Sequence, residues 1–330
     1  MAKKIVLVII GIIILGAAFV FFFRREKSSK LVTTLPTINI PDPVGGGFQI
    51  ETTIKESQFN FPGRVRLLES ESLSPLTEEE AKEVAAGFGF EGEPRSASGK
   101  IHGTRYYWSN SDYTLTVYGG TRKVGYSLNY PPFEYVNQNL SNESLINLSR
   151  DFIVDNSIYN ESEITFSYFT FLERFESAAE GLRSTTKEKA DINVANFSPI
   201  ESEFKILTLD PNASPISVWV APDGTIIKAE IILIDLSFGN EEHQVKNFQE
   251  FKGSLNKSVV ISLQEGFISI VDLPKADLEK VVVNEVELAY LADTLVGGKF
   301  QPVFLLKGTA TVKGIGGEVP ILLYLPALKS

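Results

Sequence analysis

From residue 5 to residue 23 the chain carries no charged side chain, only Ile, Val, Leu, Gly, Ala and Phe. At a rise of about 1.5 Å per residue such a run is just long enough to cross a hydrocarbon core of roughly 30 Å as a helix. A helix of a soluble core would show a polar face here. A cleaved signal peptide is the competing reading, because Lys3 and Lys4 form a basic start; however, the run ends in Phe21-Phe22-Phe23-Arg24-Arg25, with no small-residue cleavage site. The sequence therefore predicts a short tail and transmembrane anchor over residues 1–23, with the lipid bilayer as a partner through residues 5–23. A Pro- and Gly-bearing linker follows over residues 24–50. Arg24, Arg25, Lys27 and Lys30 outnumber Lys3 and Lys4, which favours a cytoplasmic body, whereas the tail of four residues favours export. The expectation adopted is a single-pass protein of the cell membrane with an extracytoplasmic body.

Beyond residue 30 the chain has 25 basic against 40 acidic residues, a formal charge of −15. An acidic body does not seek nucleic acid. The absence of cysteine excludes a disulfide scaffold, thiolate catalysis and any Cys-ligated metal.

The body reads as helix-then-strands, three times over. Thr77 and Glu80 have capping-box spacing, and Ala81, Val84, Ala85 and Phe88 share one helical face. Strands are expected over residues 105–108, 113–118 and 123–128. Ser141 caps a second helix bearing Leu145, Leu148, Phe152 and Ile153, followed by the alternating strand Ile164, Phe166, Tyr168 and by strands over residues 204–209, 216–220 and 226–234. Residues 177–200, rich in Ser, Thr, Lys, Glu and Ala, read as a long loop. A third helix is expected from Ser262, with Glu265 as its box partner, followed by strands over residues 280–291, 300–306 and 309–325. The predicted class is α+β: an N-terminal transmembrane helix followed by tandem helix-on-antiparallel-sheet units over residues 51–135, 136–255 and 256–330.

Phe61-Pro62-Gly63-Arg64-Val65, Leu76-Thr77-Glu78-Glu79-Glu80-Ala81 and Phe88-Gly89-Phe90 open the body. Ser214-Pro215-Ile216-Ser217-Val218-Trp219-Val220 and Asp223-Gly224-Thr225-Ile226 stand in the second unit. The third has Ile261-Ser262-Leu263-Gln264-Glu265-Gly266-Phe267, Val286-Glu287-Leu288-Ala289-Tyr290, Phe300-Gln301-Pro302-Val303-Phe304 and Leu325-Pro326-Ala327-Leu328. Together these resemble the extracytoplasmic YycH/YycI-type regulators and related PepSY-like modules. The resemblance implies one N-terminal transmembrane helix, stacked helix-on-sheet domains and contact with a membrane sensor protein instead of chemistry; it brings no catalytic residues and no cofactor. The chain departs from the pattern at Gly266, where relatives favour Ala, and in residues 177–200.

The residues offer little to a catalyst. His102 and His243 stand outside any metal-ligating spacing and read as surface residues. Ser184-Thr185-Thr186-Lys187 and Ser254-Leu255-Asn256-Lys257 satisfy Ser-x-x-Lys without the companion motifs of Ser/Lys enzymes. The carboxylate pairs Glu69/Glu71, Glu161/Glu163 and Glu241/Glu242 read as solvated charge, and no phosphate loop or dinucleotide fingerprint occurs. Tyr106, Tyr107, Trp108, Tyr113, Tyr118, Tyr126 and Tyr130 crowd one small sheet. Consecutive Tyr106 and Tyr107 must face opposite sides of a strand, leaving one for a partner. Tyr107, Tyr113 and Tyr130 are the candidate partner-binding residues. The function expected is a non-enzymatic interaction or regulatory module engaging another membrane or envelope protein. The alternative is a carrier of a small ligand or cell-wall polymer in an aromatic-lined cleft, with a Ser/Lys or carboxylate hydrolase third.

Overall fold

The computed structural model describes residues 48–70, 74–100, 102–132, 135–174, 181–208, 214–263, 278–292, 299–314 and 317–329. In chain order they form β1 (Gln49–Thr52), β2 (Arg64–Ser70), α1 (Glu78–Gly87), β3 (Arg95–Gly99), β4 (Gly103–Ser109), β5 (Tyr113–Tyr118), β6 (Lys123–Leu128) and α2 (Asn142–Asp155). Next come β7 (Ile164–Arg174), β8 (Leu182–Ser184), β9 (Ile192–Glu201), β10 (Phe204–Thr208), β11 (Ile216–Val220), β12 (Ile226–Ile232) and β13 (Leu236–Gln244). The last are α3 (Phe248–Ser254), β14 (Val259–Leu263), β15 (Leu278–Ala292), β16 (Lys299–Val312) and β17 (Glu318–Pro326).

The helices start where their caps dictate. Thr77 Oγ1 accepts from Glu80 N at 3.2 Å and Glu80 Oε2 accepts from Thr77 N at 2.7 Å, closing a capping box; these bonds hold the Glu80 carboxyl below its ordinary range. Ser141 Oγ accepts from Ser144 N at 3.0 Å at the start of α2. Asn247 and Glu250 close a second box at α3.

The first sheet runs β3-β4-β5-β6-β12-β11-β9-β7-β8, antiparallel throughout. One face buries Trp108, Leu115, Val117, Ile216, Val218 and Phe197 under α1 and α2. The second sheet runs β14-β17-β16-β15, with β1 and β10 parallel to β15, and β2 carries β13 onto the start of β16. Its core gathers Val281, Val283, Phe304, Leu306, Ile321, Leu323 and Leu325 beneath α3 and the lead-in residues Phe59 and Phe61. The β9–β10 hairpin joins the two sheets.

This corrects the α+β expectation: the protein is mainly β, and its helices do not define tandem units. The deciding contact is the pairing of β6 with β12, Val124 opposite Ile231, which continues the strands following α1 into those following α2 as one sheet. Of the helix expected from Ser262 only Ser262 and Leu263 are described, and they end strand β14, whose β-branched start Val259-Val260-Ile261 pairs with β17; residues 264–272 of that expectation lie outside the described residues. Residues 192–199, expected in a loop, are buried strand β9 at the middle of the first sheet. The single-pass membrane assignment, and the cell-membrane localisation built on it, is also corrected. Among the described residues no helix is long and apolar enough to cross a membrane, and residues 5–23 lie outside them.

Two polar groups packed into the interior, half-buried Tyr159 and buried His243, carry predictions. Tyr159 Oη donates to Ile232 O at 2.7 Å and accepts from Ile234 N at 3.2 Å, clamping the chain as it leaves β12. Burial raises this phenol above its usual range. Tyr159→Phe strands both backbone groups and is expected to cost about 2–3 kcal/mol in urea denaturation. His243, on β13 opposite the core residue Val65, is 1% exposed, and neither ring nitrogen has a hydrogen-bond partner. It is thus not the surface residue its acidic neighbours suggest; a register shift between Phe238 and Glu242 turns it inward. His243→Leu removes an unsatisfied buried group and is expected to raise stability by about 1 kcal/mol, read as a higher urea midpoint at unchanged slope.

Candidate functional site

Alternation along the first sheet sends every second side chain away from α1 and α2. On β4, Tyr106 and Trp108 are buried on the helix side while Tyr107 is half-buried on the other. Tyr107, Thr116, Gly125, Glu230 and Ser217 stand in register across β4, β5, β6, β12 and β11, each half-buried. Large and charged side chains flank the small positions Thr116, Gly125 and Ser217 of this row. Lys228 Nζ lies 4.4 Å from the centre of the Trp219 ring, opposite it on β11, and the Arg105 guanidinium lies 5.7 Å from the Tyr107 ring. Glu230 accepts from Lys123 Nζ at 2.8 Å and pairs with Lys228 Nζ at 2.9 Å. Partial burial pushes its carboxyl up, but the two ammonium groups outweigh that and hold it below the ordinary carboxylate range.

The three tyrosines named from sequence do not form one patch. Tyr107 belongs to the uncovered face. Tyr113 stacks at 4.8 Å on Tyr126, whose ring meets Phe88 and Phe152 on the helix side. Tyr130 is 85% exposed just beyond β6. Lys228 and Trp219, the latter half-buried against the cluster of Ile192, Val194, Ala221 and Ile227 that closes the β9 end of this face, were not singled out. Their signal was the alternation Ser217, Trp219 along Ile216–Val220 and its match on β12.

A cleft of about 220 Å³ opens between the sheets, lined by Ser167, Ser198, Ile206, Leu305, Lys307 and Leu322 among others. The hydroxyls of Ser167 and Ser198 bond each other at 2.7 Å, and Ser214 Oγ donates to Phe197 O at 2.7 Å. Lys205 and Lys307 both point at Glu287, at 3.0 and 3.9 Å. Serine and lysine thus line the same cleft with their hydrogen bonds made elsewhere. The Ser-x-x-Lys pairs are likewise occupied: Lys187 Nζ donates to Asn142 Oδ1 at 2.7 Å, and Ser254 Oγ donates to Glu250 O at 2.8 Å. Glu163 caps the Asn160 N–H, Glu242 lies 3.8 Å from Arg64, and Glu71 is outside the described residues. His102 is exposed. Among the described residues no cluster of three His, Asp or Glu side chains is arranged to hold a metal.

No protein-family model matches the chain. No curated protein matches it either. Among solved structures, an uncharacterized protein from Eubacterium rectale is 10% identical, covers 85% of this chain and 88% of its own, and superposes with a TM-score of 0.45. The C-terminal domain of YpeB from Bacillus megaterium is 14% identical, covers 76% of this chain and 99% of its own, with a TM-score of 0.34. At these scores the likeness is one of outline and carries no functional argument.

Proposed function

We propose that this protein is a non-catalytic module that works by binding another protein across the uncovered face of its first sheet. The observation that supports this reading is the face itself. A sheet packed by helices on one side leaves, on the other, half-buried aromatic rings beside a cluster in which Lys123 and Lys228 share the single carboxylate of Glu230. Aromatic and cationic side chains at the centre of a surface are the groups that carry protein recognition. A photo-crosslinker replacing Tyr107 in living cells should trap one discrete protein, and Lys228→Glu should reduce that adduct at least tenfold. A crosslinker replacing Glu79, on the exposed side of α1, should trap nothing specific. Equal adducts at Tyr107 and Glu79, or none at Tyr107, contradict the proposal.

A further inference from the structure

We infer that the partner bound on the uncovered face of the first sheet presents an acidic, extended segment, whose carboxylates pair with Arg95, Arg105, Lys123 and Lys228 and whose main chain passes over Gly125; this rests on the binding role proposed for that face. Strand register places the four cations together. Arg95 stands opposite Tyr107, which heads the row Tyr107, Thr116, Gly125, Glu230. Arg105 and Lys123, both paired with Tyr118, flank that row on one side, and Lys228 flanks it on the other. Glu230 alone answers them. It is shared by Lys123 and Lys228, while Arg95 and Arg105 have no carboxylate partner among the described residues. A chain with 31 basic and 41 acidic residues thus keeps a cationic surplus on the face where the half-buried rings of Tyr107 and Trp219 also stand.

Gly125 supplies a second, independent observation. It sits inside β6, and glycine within a strand weakens it while marking a place where a ligand or another backbone approaches closely. Its own surroundings do not call for glycine: its φ lies outside the left-handed region, and an added Cβ would meet Thr116 O and Tyr118 Cε2 at 3.9 Å, which is ordinary contact. The bare backbone leaves a low floor between the cations. Residues 1–47 carry six basic and two acidic side chains, so a cationic face repels them. Of the other stretches outside the described residues only 264–277 exceeds six residues, and it connects β14 to β15, both strands of the second sheet. An anionic bilayer fits the face less well than a chain does. The Lys123 and Lys228 side chains are 35% and 37% exposed, recessed where a narrow segment reaches them and a flat surface does not. Complementary charge would both steer an acidic segment to this face and fix its register there.

The probe is a short blocked peptide of alternating glutamate and threonine, titrated into the full chain and read by Trp219 fluorescence and by footprinting of Tyr107. It should bind saturably, and its counterpart with glutamine at each glutamate position should bind at least tenfold more weakly. Raising the salt from about 0.1 M to about 1 M should weaken the glutamate peptide at least tenfold. Arg95→Gln combined with Arg105→Gln, which breaks no ion pair, should do the same. Gly125→Val keeps every cation but covers the floor, and should weaken the peptide at least fivefold; a cooperative unfolding transition shows that each variant folds. Equal binding of the two peptides, no saturable binding, or undiminished binding by either variant overturns the inference. So does protection of Tyr107 and Trp219 in the free protein at every concentration, which would put the chain's own residues on the face, or protection that grows with concentration, which would put a second copy there. Tighter binding of vesicles containing anionic phospholipid than of the peptide would assign the face to a membrane and overturn it too. The crosslink at Tyr107 separates the two claims: an adduct to a protein segment without Asp or Glu sinks the acidic partner and keeps the binding face, whereas no adduct sinks the binding face itself.

Discussion

Alanine in place of Gly308 is expected to lower stability by about 3 kcal/mol or more, a fall in Tm of roughly 6–12 °C. Gly308 sits on β16, opposite Val283 on β15 and Ile321 on β17, beside the register shift that follows Val283. A Cβ at this position would clash with Val282 O and stand 3.0 Å from Val283 Cα. Both are backbone atoms held by the longest strand pair among the described residues, so neither can move without breaking ladder bonds on each side. The φ angle at Gly308 lies outside the left-handed region, so the penalty is one of space. Gly253 provides the control. It lies within α3, and a methyl group added there would meet nothing within 4 Å. Gly253→Ala should therefore raise stability by roughly 0.5–1 kcal/mol through helix propensity. Thermal and urea denaturation of the two variants should give changes of opposite sign; a neutral Gly308→Ala would contradict the β15–β16 register.

The second large effect is expected at Phe251. Its ring is fully buried and touches Phe59 at 4.8 Å, Phe304 at 5.4 Å and Phe248 at 6.3 Å, while Phe61 closes the group against Phe59 and Phe304. These rings join three stretches distant in sequence: the lead-in to β2, helix α3 and strand β16. Phe251→Ala opens a cavity that surrounding backbone cannot close, at a cost of about 3–5 kcal/mol. The segment between β1 and β2 packs on this cluster through Phe59 and Phe61, so amide exchange in residues 55–61 should accelerate more than in β17. Phe248→Ala, at a half-buried position, should cost less than half as much. Equal costs at the two positions would mean that Phe251 is not the centre of the cluster.

The sequence showed what is local. The capping boxes at Thr77 and the cap at Ser141 marked α1 and α2, and the hairpin turns between β4, β5 and β6 were visible as Gly119-Gly120 and Ser109-Asn110-Ser111-Asp112. Strand β9 was hidden because it is buried on both faces and carries Asn193, Asn196 and Ser198 inside, so neither alternation nor apolar run appears. The β6–β12 pairing that overturned the tandem architecture joins residues about a hundred positions apart, beyond any periodicity. The same limit governs the site. Opposite facing of Tyr106 and Tyr107 followed from a period of two, but that Trp219 and Lys228 lie on the same face as Tyr107 depends on register across five strands. The alternation at Ile164, Phe166 and Tyr168 marked a strand, yet a strand at an edge and one at the centre can share a local sequence.

Oxidative footprinting of Tyr107 and Trp219, in the purified protein and in the living cell, tests the binding face most directly. The chain has two tryptophans, and Trp108 is 5% exposed, so it serves with Tyr106 as an internal reference. Tyr107 and Trp219 should react readily in the purified protein, should be protected in the cell where a partner covers them, and should regain reactivity there with Lys228→Glu. Equal reactivity of Tyr107 and Trp219 in both settings, or protection as deep as that of Trp108 in the purified protein, would contradict an open face that serves as a binding surface.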